Sequence, residues 1–150
     1  MAKSARSSVT RSVTVKLVGL DKVVARLQQI GRNVPTIVGR ALRAEAEIEM
    51  TEAKRRVPVL TGTLRASGTV TGPAKGEITV RLSFGGPAAP YALYVHENEE
   101  AWHRSGQAKY LESVILESAP HLGNRVAKRI ESDMAREANE VVKVSLMETV

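Results

Sequence analysis

From Leu111 to Ala138 an apolar residue returns every third or fourth position: Leu111, Ile115, Ala119, Leu122, Val126, Ile130, Met134 and Ala138. That spacing matches the 3.6-residue turn, so a helix here carries one continuous apolar stripe that another element must cover. A long C-terminal helix on one side of a core is therefore the chain's strongest structural commitment. Pro120 falls inside the stripe. Its ring has no N–H for the preceding turn, which predicts a break or kink there and a new helix capped by Ser118. Beyond Glu140 the period weakens, and residues 140–150 read as a tail ordered by a partner.

The rest of the chain supplies candidates to cover that stripe. Val13, Val15 and Leu17 alternate with Thr14 and Lys16, the period of a half-buried strand ending at Gly19. Leu20, Val23, Val24, Leu27 and Ile30 have helical spacing, and Gly31 suits a C-cap. A second helix is predicted after Asn33, with Pro35 in its first turn and Pro58 closing it near Val57. Val34, Val38, Ala41, Leu42 and Ile48 form its apolar side, and Arg43–Glu47 and Glu52–Arg56 make i,i+4 pairs. Residues 69–71 and 77–84 read as a β-hairpin around Gly72-Pro73-Ala74-Lys75-Gly76. Ile78, Val80, Leu82 and Phe84 share one face of its second strand. Residues 91–97 favour a short helix over a final strand, and residues 98–107 form a polar loop around Trp102.

These elements predict an α+β fold: a small antiparallel sheet with a β-hairpin, packed against N-terminal helices and a long C-terminal helix. Residues 13–139 make one domain, which suits a chain of 150 residues. Residues 1–12 form a basic flexible arm and 140–150 a tail. With aromatics at 3% of the sequence, the core is expected to be aliphatic. No apolar run reaches the roughly 20 residues a membrane span needs, and the polar N-terminus lacks a signal peptide's apolar core.

Catalytic chemistry finds little to stand on. There is no cysteine. His96 and His103 stand seven apart, which matches no metal-ligand pattern, and the three histidines read as surface or interface residues. Glu97, Glu99 and Glu100 crowd one polar loop instead of facing each other across a cleft. Ser105-Gly106 lacks the context of a nucleophile elbow, and Gly85-Gly86 is no phosphate loop. The expectation is a non-enzyme without cofactor or metal. The net charge of +6 leaves nucleic acid open, because Lys3, Arg6, Arg11 and Lys16 stand in the first sixteen residues without an acid. On the C-terminal helix, though, Arg125, Lys128, Arg129 and Arg136 are matched by Glu131, Asp133, Glu137 and Glu140. A recognition helix would be biased positive.

Three segments in order carry a resemblance. They are Val57-Pro58-Val59-Leu60-Thr61-Gly62-Thr63-Leu64-Arg65-Ala66-Ser67, then Tyr91-Ala92-Leu93-Tyr94-Val95-His96-Glu97, then Gln107-Ala108-Lys109-Tyr110-Leu111 leading into the last helix. In this order the chain resembles the head–tail joining or tail-completion (neck) proteins of tailed phages. That group includes the minor tail protein Z of lambda-like phages. His96-Glu97-Asn98 stands where many members read Phe-Gly-Thr, and Lys109-Tyr110-Leu111 where many read Pro-Phe-Leu. The resemblance implies a homo-oligomeric ring, six-fold or twelve-fold, in the neck of the virion. Such a subunit assembles in the host cytoplasm and meets neck, portal or tail proteins. It implies no catalytic residue.

A closed ring needs two different surfaces on each subunit. Thr61 is expected to cap a single short turn that presents Leu64 inward and Arg65 outward, and this turn at residues 61–67 with the hairpin is one such surface. The other is the 87–102 region, where Tyr91, Tyr94 and Trp102 hold three of the five aromatics; Tyr91 and Tyr94 have the alternative of closing the core under a loop. The arm residues Lys3, Arg6 and Arg11 are expected to contact a partner protein or DNA in the channel. A small DNA-binding or regulatory protein is the alternative function.

Overall fold

The computed structural model describes the backbone of residues 12–16, 34–74 and 77–147, and the side chains of residues 34–74 and 77–136. The helix expected over residues 20–30, the Asn33 cap and the arm residues Lys3, Arg6 and Arg11 lie outside the described residues.

Strand β1 (Ser12–Lys16) is followed by helix α1 (Val34–Arg56), a four-residue turn α2 (Thr63–Ala66), and strands β2 (Thr69–Thr71) and β3 (Arg81–Gly85). Helices α3 (Ala92–Glu97) and α4 (Tyr110–Met147) complete the order. The sheet runs β1-β3-β2, antiparallel throughout, with Val13 opposite Phe84 and Val70 opposite Leu82. Leu82 and Phe84 point into the core, while Arg81 is exposed on the other face. This is the α+β architecture expected from the pattern, with α1 against α4 as the most extensive contact between elements.

The hairpin's second strand starts later than expected, at Arg81 instead of Glu77. The ladder stops because residues 72–74 cannot pair onward. Gly72 turns to φ +88, Pro73 has no N–H, and the Gly72 carbonyl accepts a hydrogen bond from Arg43 Nη1 at 2.7 Å.

Helix α1 buries Val34, Ile37, Val38, Ala41 and Leu42 in its first half, then Glu45, Ala46, Glu49, Met50 and Ala53. The buried strip turns around the helix along its length, which leaves Ile48 off it at 49% exposed. The Arg43–Glu47 and Glu52–Arg56 pairs form as expected. The core is not purely aliphatic. Phe84 and Tyr110 are its largest fully buried apolar side chains and meet edge to face, centroids 5.1 Å apart.

Helix α4 runs through Pro120 without a break, and Ser118 caps nothing; its hydroxyl lies 3.5 Å from the Ile115 carbonyl. The proline lies on the exposed face, where water can take the Leu116 carbonyl that Pro120 cannot. Leu111, Val114, Val126 and Ile130 are buried on both sides of it, so packing holds the helix together across the gap.

Candidate functional site

Helix α1 stops at Arg56 because Pro58 disfavours helical backbone at the residue before it. The chain then runs outward, leaving Leu60 98% exposed. Gly62, at φ +84, is the N-cap of α2, a left-handed backbone that a Cβ would penalise. Thr61 is therefore not the cap, and its hydroxyl reaches the Thr63 N–H only at 3.5 Å. Leu64 turns inward and Arg65 outward, as expected. Ser67 fixes the turn to the sheet: its Oγ donates to the Leu64 carbonyl at 2.7 Å and accepts from the Gly85 N–H at 3.0 Å.

In α3, Ala92 and His96 face the core at i,i+4 spacing. Tyr91 and Tyr94 do not close the core; they are 42% and 70% exposed. Trp102, in the following loop, is 85% exposed.

Between the 58–64 loop and α3 lies an apolar groove of about 600 Å³. Pro58, Leu60 and Leu64 line one side, and Tyr91, Val95 and Trp102 another. His103 and Arg104 line it as well, and no acidic residue does. The His103 Nε2 is buried without a hydrogen-bond partner among the described residues. Parts of the two expected surfaces line this one groove, Thr61 and Leu64 from the first and Tyr91 and Trp102 from the second, while the hairpin lines none of it. Tyr94 belongs instead to a neighbouring cleft with Pro90, Leu93 and Asn98, and Asn98 Nδ2 donates to its hydroxyl at 3.0 Å. Arg65 is exposed and does not line either depression.

The loop that carries Trp102 to Ser105 is held against the end of α1 at Gly106, which has φ +81. A Cβ there would stand 2.5 Å from the Pro58 nitrogen and 2.6 Å from the Arg56 carbonyl oxygen. The next residue, Gln107, donates its N–H to that same carbonyl at 2.8 Å. Gly106→Ala is expected to cost about 2–4 kcal/mol, the left-handed penalty plus displaced backbone. An unchanged urea midpoint in that variant would refute this account of the loop.

His96 is neither a surface nor an interface histidine; it is 3% exposed, with its ring edge-on to Tyr110 at 4.8 Å. Its Nδ1 lies 2.7 Å from Glu97 Oε1, and its Nε2 accepts the Glu112 N–H at 3.4 Å. His96, Glu97 and Glu112 bring ligand atoms within 4.8 Å of one another. The Lys109 ammonium already fills the place a cation would take, bonded to Glu97 and, at 3.1 Å, to Glu112. The bond from Lys109, then that from His96, holds the Glu97 carboxyl below its ordinary range. Both acids in turn push the lysine up. With both ring nitrogens engaged, this cluster is a brace between α3 and α4.

Sequence reasoning missed the cross-helix charges. It only balanced the bases of α4 against acids of the same helix in number. Instead Arg125 and Arg129 both bond Glu45, Arg125 at 2.7 Å, and Arg125 also bonds Glu49. Arg56 binds Glu117 with both terminal nitrogens, at 2.7 and 2.6 Å. The signal was present: Glu45 and Glu49 stand on the apolar strip of α1, and Arg125 and Arg129 repeat their i,i+4 spacing. Within α4, Arg136 pairs with Asp133 at 3.0 Å.

No described helix is long and apolar enough to cross a membrane. No curated protein and no solved structure matches the chain. Residues 21–113 match the family model HK97-gp10-like, described as "Bacteriophage HK97-gp10, putative tail-component". That span is well over half of the chain and takes in α1, the 57–67 turn, β2, β3, α3 and the loop bearing Trp102. The chain therefore belongs to the HK97-gp10-like family of bacteriophage tail components.

Proposed function

We propose that the chain is a structural subunit of the phage neck, a head–tail connector or tail-completion protein. It assembles as a homo-oligomeric ring joining the portal complex to the tail. The observation that carries this reading is the exposed aromatic groove at Trp102 and Tyr91. Large contiguous apolar surface rimmed by polar residues marks an interaction site, and aromatics supply most anchors at such sites. The role calls for shape and contact, and no step of it needs a catalyst. Arg65 sits beside the groove as a rim contact. Lys3, Arg6 and Arg11 reach a neighbouring neck protein or line the DNA channel.

Trp102→Ala combined with Arg65→Ala is expected to weaken subunit association by at least about 30-fold, an anchor's worth of roughly 2 kcal/mol. In infected cells it should leave heads and tails unjoined. Finished particles at normal yield would put the interface elsewhere. The alternative, a small DNA-binding or regulatory protein using the basic arm, predicts a salt-sensitive complex with duplex DNA. The arginines of α4 turned toward Glu45 and Glu49 weigh against it, and sedimentation with and without a duplex separates the two.

A further inference from the structure

We infer that the groove receives the C-terminal end of α4 from a neighbouring copy of the chain. This rests on the ring reading for its setting, but the occupant is argued from separate observations.

The first is composition. Residues 141–147 read Val-Val-Lys-Val-Ser-Leu-Met, and the backbone stays helical through Met147. Five of these seven residues are apolar, and their sequence leaves no polar stripe at helical spacing. A helix apolar all round belongs inside protein. The groove offers matching apolar surface, with Leu60 98% and Trp102 85% exposed.

The second is charge. Residues 137–150 hold Glu137, Glu140 and Glu148 against Lys143 alone, an acidic end on a chain of net charge +6. The groove is lined by Arg104 and His103 with no acid, and exposed Arg65 follows the lining residue Leu64 in sequence. Opposite charge selects partner and register.

The third is reach. Trp102 to Ser105 line the groove only a few residues before α4 begins at Tyr110. Val141 lies 31 residues further along that same unbroken helix, roughly 45 Å away at 1.5 Å per residue. A chain's own tail therefore cannot return to its own groove. The contact must be made between copies, tail of one to groove of the next, which is the head-to-tail geometry that closes rings.

Trp102 is the chain's single tryptophan, so its emission reports on the groove directly. The test uses full-length Leu60→Glu, which spoils the groove at an exposed position, and full-length Leu146→Glu, which spoils the tail. Circular dichroism checks that both stay folded. Wild type should self-associate with blue-shifted emission, and each variant alone should lose both. Mixing the two restores one intact groove and one intact tail, and the blue shift should return. A synthetic peptide of residues 137–150 should shift Trp102 in Leu146→Glu and do nothing to Leu60→Glu. If Leu146→Glu still assembles, or the peptide leaves Trp102 unshifted, the tail is not the occupant, whereas wild-type self-association would keep the ring reading intact. A peptide shift in a chain that never self-associates would sink the ring and uphold the groove's choice of ligand.

Discussion

Arg125→Ala should lower the stability of the domain by about 3 kcal/mol, near the low end of what removing one partner from a buried ion pair costs. Glu45 and Glu49 are 1% and 4% exposed, so the variant leaves two carboxylates in the core with Arg129 reaching only one of them. The low end applies because Arg125 is itself about a third exposed, and water moderates the loss. Burial pushes the Glu45 carboxyl up, but hydrogen bonds from Arg129 and Arg125 outweigh it and hold it below its ordinary value of 4.5. A carboxyl lowered in the folded state contributes stability that is complete above its unfolded value and is lost as pH falls through the folded one. Wild type should therefore lose stability as the solution is acidified below about pH 4.5. In Arg125→Ala, where Glu45 is held down less, the fall should be shallower. Urea midpoints at pH 7 and in steps down to pH 3 measure both effects. A variant as stable as wild type at pH 7 would show that these acids are not committed to the core.

Tyr110→Ala is expected to cost about 3–5 kcal/mol, the range for emptying an aromatic site in a packed core. Tyr110 is fully buried, and its ring packs edge-on against both Phe84 and His96. Its hydroxyl donates to the Ala92 carbonyl at 3.2 Å. Tyr110→Phe keeps the ring and removes only that bond, so it should cost about 1 kcal/mol. Burial pushes the Tyr110 hydroxyl well above its ordinary range, which keeps it a donor at every pH where the domain is folded. Thermal unfolding of the pair separates ring packing from hydrogen bonding, and equal losses would contradict this division. Because Tyr110 joins the sheet to α3, the alanine variant should also disturb the groove, visible as a change in Trp102 emission.

Much of this was legible from local pattern. The period of α4, the strand at residues 12–16, the inward Leu64 with outward Arg65, and the short helix after Tyr91 all follow from spacing between near neighbours. What escaped depends on partners far along the chain. Glu45 looks like a surface acid until Arg125, eighty residues later, crosses it. His96 looks like a surface or interface histidine until Tyr110 and Glu112 close over it. Ile48 fits the apolar pattern of α1 but falls off a buried strip that turns with the crossing of α4. Pro120 was overread for the opposite reason: its local preference is strong, yet on an exposed face the missing bond falls to water while packing on both sides keeps the helix whole. For the groove, both lining segments were visible in the sequence, but not that they face each other.

The uninterrupted passage of α4 through Pro120 also has a mechanical consequence. Before the proline, Arg56 grips Glu117; after it, Arg125 and Arg129 grip Glu45 and Glu49. The helix is thus a rod clamped twice to α1, with one backbone bond missing between the clamps on the side facing water. Its compliance is gathered into that single turn. A load on the far end of the rod meets the Arg125 and Arg129 clamp first, so the weakened turn and the sheet beneath are shielded from it until that clamp opens.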